Sequence, residues 1–221
     1  MSRAVLVASS CKALPFSDRR TGVSLHQLGS VHAAFTRAGW DLLVASPSGG
    51  AAPVDAGSLS EEWVSSSNLA SGTVRLDELK DEDADAWFVL GGHGALCDLV
   101  DDATLLRVLA SAIVSDRLVG AVDHGCAVLS ALSKLDGTPL LAGRAVTGRT
   151  DVEEREVRHH ELLPRTTERL LRDAGTRFKS RSPWHPFVVV DGNVVTGQNP
   201  ASTTAAVNAV MDNFATVAFV A

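Results

Sequence analysis

Short apolar runs alternate with segments of helical spacing four times before residue 135, and this alternation limits the folds open to the chain more than any other feature. Ala4 to Ala8 is apolar throughout, and Val23 to Ala38 carries apolar residues at helical spacing up to Gly39. Asp41-Leu-Leu-Val-Ala45 is a second run, stopped by Ser46-Pro47. Ala86-Trp-Phe-Val-Leu90 and Leu118-Val-Gly-Ala-Val122 are the third and fourth; a helix is expected over Thr104 to Ser115 between them, and another over Gly125 to Ser133. Runs with no polar alternation suit strands buried on both faces, and parallel neighbours of that kind are joined by helical crossovers. The pattern therefore predicts a doubly wound α/β sandwich, with a mostly parallel central sheet and helices on both faces. Its ligand site belongs beyond the carboxyl ends of the strands.

The rest of the chain fits one such domain over residues 1–221, since 221 residues are few for two domains of roughly 100 to 200 each. Residues 51–82, rich in Ser, Gly, Asp and Glu, are expected to be a surface insertion with one or two helices. A charged stretch from Asp151 to Glu161 and a helix from Arg165 to Ala174 follow. Phe187 to Thr196 reads as a late β-hairpin turning at Asp191-Gly192, a pair suited to a type I′ turn, and Ala201 to Phe214 as a closing helix.

Composition removes several classes of function. A net charge of −6 repels a phosphate backbone, so nucleic acid is not the expected partner. No apolar run approaches the roughly 20 residues of a membrane span and no leader is visible, which predicts no membrane association and a cytoplasmic location. Cys11, Cys97 and Cys126 are scattered and odd in number, which suggests neither a disulfide framework nor a cysteine zinc site. Sixteen Arg against four Lys, with a single Ile, is a composition that GC-rich bacterial genomes favour.

Two junctions carry chemical information. In Gly120-Ala-Val-Asp-His-Gly-Cys-Ala-Val-Leu129 a buried strand turns abruptly toward a helix and projects Asp123 at the turn. Asp123 is either an N-cap or a reactive carboxylate, and the local pattern allows both. In Leu90-Gly-Gly-His-Gly94 a strand ends in glycines, which bring backbone N–H groups close to a ligand or simply make a tight turn.

Five segments in order, Thr21-Gly22, Ala45-Ser-Pro-Ser-Gly-Gly50 with Pro53-Val-Asp55, Gly91-Gly-His-Gly94, Ala121-Val-Asp-His-Gly125 and Thr196-Gly-Gln-Asn-Pro-Ala-Ser202, span nearly the whole chain. Together they resemble the DJ-1/ThiJ/PfpI superfamily, in its larger branch of glyoxalase III-like and heat-shock chaperone members. The resemblance implies a flavodoxin-like fold and often a homodimer. In that family the elbow reads Ala-Val-Cys-His-Gly, with a reactive cysteine; here Asp123 replaces it. The family's glutamate on the first helix aligns with Gln27. The two changes compensate, because a glutamate facing an aspartate forces one of them to hold a proton, whereas a glutamine donates an N–H to an ionised carboxylate.

The resemblance further implies that His124 is the family histidine and that Glu154 orients it, with Glu153 one residue away as the competing candidate. It places the oxyanion hole at the backbone N–H groups of Gly92 and His124. His93 shapes the glycine turn or enters the pocket, His26 reaches the pocket or lies on the surface, and Trp184 with His185 lines the rim or packs. No metal and no cofactor is expected. A carboxylate is a poor nucleophile toward aldehydes, so the glyoxalase chemistry of cysteine-bearing relatives should be lost. The expected function is that of a hydrolase, hydratase or lyase acting on a small or polyketide-like electrophile, with epoxide opening one candidate reaction. The alternatives are a non-catalytic chaperone or binding member, and a glyoxalase working through Cys126.

Overall fold

The computed structural model describes residues 2–15, 17–157, 160–163 and 165–218. The four apolar runs are β1 (Arg3–Val7), β2 (Asp41–Ser46), β4 (Ala86–Val89) and β5 (Leu118–Val122), and the short β3 (Val74–Arg75) lies between the second and third of them. β6 (Ala145–Val146), β7 (Arg177–Phe178), β8 (Val188–Asp191) and β9 (Val194–Gly197) complete the strands. The α-helices are α1 (Leu25–Arg37), α2 (Ser67–Ala70), α3 (Ala103–Val114), α4 (Asp151–Glu156), α5 (Thr167–Asp173) and α6 (Thr203–Ala218). Positions 158 and 159 of the expected charged stretch lie outside the described residues.

The main sheet runs β3-β2-β1-β4-β5-β9-β8, parallel throughout except for the antiparallel β8–β9 pair; β6 and β7 form a separate two-stranded piece. Strand period explains the two cores. Val5, Val7, Trp87 and Val89 face the layer containing Leu105 and Leu109 of α3. Ala4, Leu6 and Phe88 face the other way, onto Leu28, Val31 and Phe35 of α1 and Val207 and Val210 of α6. With both faces covered, the central strands contain almost nothing but apolar residues. This is the doubly wound α/β sandwich that the alternation predicts, of the flavodoxin-like kind that the resemblance implies. Among the described residues no helix is long and apolar enough to cross a membrane.

Three local expectations need correction. Residues 51–82 contain short helical turns, but Val74 and Arg75 pair with Ala45 and Ser46, so part of this stretch completes the sheet edge. The hairpin turns one residue later than expected: Asp191 pairs with Val194, and Gly192-Asn193 forms the loop. Gly192 has a φ of 55° whereas Asn193 has no positive φ, the pattern of a type II′ turn led by glycine and not of a type I′ turn. The helix expected from Gly125 begins at Asp123 itself and is a 3-10 helix through Ala131.

Candidate active site

Three parallel strands end side by side where the site forms. β1 leads into Ala8, β4 into Leu90-Gly91 and β5 into Asp123, and a cavity of 660 Å³ opens beyond them. Gln27, Gly92, His93, Asp123, His124 and Arg149 all line it.

Asp123 has a φ of 59°, in the left-handed region that non-glycine residues rarely occupy. The turn presents a side chain on a residue that is 3% exposed. It caps no backbone N–H: the N-cap position is Val122, and the Asp123 carboxylate is bound by side chains instead. Gln27 Nε2 donates to Oδ2 at 3.1 Å, and His124 Nδ1 lies 3.2 Å from the same oxygen. Oδ1 meets the Arg149 guanidinium, at 3.5 Å. The Gln27 amide is held in turn by its Oε1, which accepts from the Gly91 N–H at 2.5 Å. A Cβ on Gly91 would lie 2.8 Å from Asp123 and from Gln27 Oε1, so the strand can pass this pair only as glycine. Gly92, with a φ of 107°, makes the next turn against the Gly22 carbonyl.

Behind the elbow stands Glu154. Its Oε2 lies 2.8 Å from His124 Nε2 and its Oε1 2.8 Å from His93 Nε2, with the two imidazole rings 4.1 Å apart. Glu153 has other partners. It closes a capping box with Thr150 at the start of α4 and accepts from Trp184 N–H, Asn199 and Gln198. Of the two glutamates, it is Glu154 that reaches His124.

The charges follow from these contacts. Burial opposes ionisation of Asp123, but His124 and Arg149 outweigh it and hold the carboxyl well below the usual range. Burial likewise opposes charge on His124, but Asp123 and Glu154 raise its pKa to about 9. Glu154 is held ionised against its own burial by bonds to His124 and His93. His93 shifts down, through burial and then the neighbouring His124, and is neutral. The resting cluster is thus two carboxylates, one imidazolium and one guanidinium, a neutral set held in a largely buried site.

Arg149 is the member that sequence reasoning missed. It is 4% exposed, stands 3.5 Å from Glu154 Oε2 and stacks its guanidinium 4.4 Å over the Trp184 ring. Trp184 is 40% exposed at the rim, with its indole N–H bonded to Glu156. His26 lines the cavity with its ring edge-on to Trp63, whereas His185 is exposed and outside the lining. Cys126 also lies outside it: its thiol is fully buried, directed at the Gly197 carbonyl at 3.5 Å, and burial pushes its pKa up. Among the described residues, His93, His124 and Glu154 have donor atoms within 4.8 Å of one another, close enough to share a metal ion. The Arg149 guanidinium beside Glu154 suits a proton network better than a second cation there.

The chain matches the model of the DJ-1/PfpI family over residues 21–213. It is similar to the glutathione-independent glyoxalase HSP31 of Saccharomyces cerevisiae, at 30% identity over 57% of this chain and 55% of the relative. Against that protein and three further fungal glyoxalases, the match spans only 55% to 61% of the relative's own length. A glutamine amidotransferase-like class 1 domain-containing protein of Bos taurus is 31% identical over 77% of this chain and 79% of its own. Among solved structures, glyoxalase III of Candida albicans superposes with a TM-score of 0.87 at 25% identity, covering 96% of this chain and 97% of that one. With a family match across most of its length and a fold shared from end to end with such a relative, this chain belongs to the DJ-1/PfpI family.

Proposed function

We propose that the chain is a cofactor-independent enzyme in which the Asp123 carboxylate acts as nucleophile or general base on a small electrophile, as a hydrolase, hydratase or lyase. One observation carries the reading: a buried, ionised carboxylate on a strained turn, lining a cavity and held beside a charged imidazole. The relatives' names point to glyoxalase chemistry. That chemistry suits a thiolate, and the thiol nearest the elbow in sequence, Cys126, does not line the cavity.

The geometry supports an epoxide well. Oδ2 of Asp123 is held by Gln27 and His124, whereas Oδ1 meets only Arg149, at 3.5 Å, so Oδ1 is the freer oxygen for attack. Attack on a ring carbon forms the ester C–O bond and breaks the ring C–O bond. The released alkoxide takes the His124 proton, near the backbone N–H groups of Gly92 and His124. Oδ2 is then the ester carbonyl oxygen, already facing the Gln27 amide and His124. Water attacking Cγ, deprotonated by the now neutral His124, places negative charge on that same oxygen. Collapse returns the diol, the Asp123 carboxylate and the imidazolium. As a general base instead, Asp123 would take a proton from water or from substrate carbon, with no ester.

The test is a single turnover on 3-phenylglycidate in water enriched in heavy oxygen. Wild type should open the epoxide, Asp123→Asn should not, and label should appear in the peptide bearing Asp123 if the ester forms. Label confined to the product assigns the general-base route. Unchanged rates in Asp123→Asn would remove Asp123 from the chemistry, and no turnover by wild type would favour a binding or chaperone member of the family.

A further inference from the structure

The wall of the cavity includes three consecutive residues that the chemistry above leaves idle: Arg19, Arg20 and Thr21. Their backbone is pinned, because Leu14 N–H donates to the Arg19 carbonyl at 2.9 Å and Thr21 N–H to the Lys12 carbonyl at 3.0 Å. Both arginines are exposed, and among the described residues neither guanidinium has a hydrogen bond or ion pair. Thr21 is the opposite case. It is 1% exposed, yet its Oγ1 has no hydrogen-bond partner among the described residues. A buried hydroxyl without a partner is rare and calls for an acceptor.

Charge around the cavity points the same way. The lining acids are Asp55, whose carboxylate accepts from the Gly57 N–H at 2.8 Å, and Asp123, which is offset by His124 and Arg149. Arg19 and Arg20 outnumber Asp55, the one lining acid without a cationic partner among the described residues, so this wall keeps a surplus of positive charge in a chain whose net charge is −6. Two guanidinium forks and a hydroxyl donor on one cavity wall are the groups that bind the oxygens of a carboxylate or phosphate.

We propose that Arg19, Arg20 and Thr21 form an anion subsite, so that the substrate is an electrophile bearing a carboxylate or phosphate group that this wall anchors while its reactive carbon meets Asp123. The substrate class rests on the reading of Asp123 as the reacting group; the subsite itself does not.

The experiment separates the two. Calorimetric titration of the full chain with succinate, inorganic phosphate and uncharged succinamide should show binding of an anion and none of succinamide. Arg19→Gln/Arg20→Gln should weaken the anion by about tenfold or more, and Thr21→Val by several-fold, since charge-assisted bonds are the strong ones. The stronger of succinate and phosphate identifies the group. Asp123→Asn should bind the anion no more weakly than wild type, since it removes a negative charge from the lining. Equal affinity for succinate and succinamide, or anion affinity unmoved by the double substitution, would overturn the subsite whatever the fate of catalysis. Turnover surviving in Asp123→Asn would overturn the catalytic reading and leave the binding result standing.

Discussion

Replacing Gln27 with glutamate restores the residue that the family pattern places opposite its elbow, and the consequence follows from the contacts of that position. The introduced carboxyl would lie where Gln27 Nε2 now sits 3.1 Å from Asp123 Oδ2, both side chains being buried. Two ionised carboxylates at that separation repel by about 5 kcal/mol at an effective dielectric of about 20, equivalent to about four pKa units. The proton goes to the introduced carboxyl, because Asp123 has Arg149 and His124 beside it to hold its charge. Once protonated, that group donates to Asp123 as the amide does, and its other oxygen still accepts from Gly91. Its folded-state pKa is therefore raised from about 4.3 in the unfolded chain to about 8. A carboxyl whose pKa rises on folding destabilises as pH climbs from its unfolded value toward its folded one, because the unfolded state alone releases the proton. The stability gap between wild type and Gln27→Glu should widen by about 1.4 kcal/mol per pH unit, or about 4 kcal/mol between about pH 4.5 and about pH 7.5. Urea unfolding of both proteins across that range measures it. A gap that stays constant would mean that Asp123 is not ionised against Gln27, and the charge assignment of the whole cluster would fall with it.

Further outcomes follow from the same contacts. The His124 ring should remain charged until about pH 9, as imidazole resonances in a pH titration would show. Because its folded pKa lies above the unfolded 6.5, its contribution to stability is complete below about pH 6.5 and is lost as pH rises through about 9. Glu154→Gln removes the acceptor shared by His93 and His124 and leaves Arg149 short of a counter-charge, which should destabilise by about 3–5 kcal/mol and lower kcat. Glu153→Gln should lower Tm with kcat preserved, since Glu153 closes a helix cap and holds Trp184. Wild type should not turn over methylglyoxal and Cys126→Ser should change nothing; turnover abolished by that substitution would show the buried thiol to be reachable.

Much of this site is legible in the sequence, for reasons that differ by residue. The elbow can be read because a fully apolar strand that stops at Asp-His-Gly leaves few geometries for the aspartate. The Gln27–Asp123 bond follows from alignment of the Thr21-Gly22 motif and a like-charge argument. One local signal separates Glu153 from Glu154: Thr150-Asp-Val-Glu153 has the spacing of a capping box, which commits Glu153 to the helix start. Arg149 had almost no signal, because a buried cation is placed by long-range partners, here Asp123 and Glu154, and no periodicity announces it. β3 was hidden for a related reason. Two residues carry no strand pattern, and Val74–Arg75 is held by register with β2. The type of the hairpin turn depended on where Asp191 paired, a matter of strand register that Asp-Gly alone does not set.

The strand order has a consequence for how the protein is made. β5, which delivers Asp123, is flanked by β4 on one side and by β9 on the other, so Val119 pairs with Val194 across a long stretch of chain. Until β9 has been synthesised, β5 is an open edge, apolar on both faces, of the kind that recruits strands from other molecules. Parallel pairing over such a separation is slow, because loop closure precedes any contact that rewards it. A nascent chain would thus hold the elbow unfinished until Gly197, Gln198 and Asn199 emerge to close the neighbourhood of Cys126 and Glu153. Completion of the elbow in this topology is a property of late folding, and the interval before it is when aggregation or chaperone capture would compete.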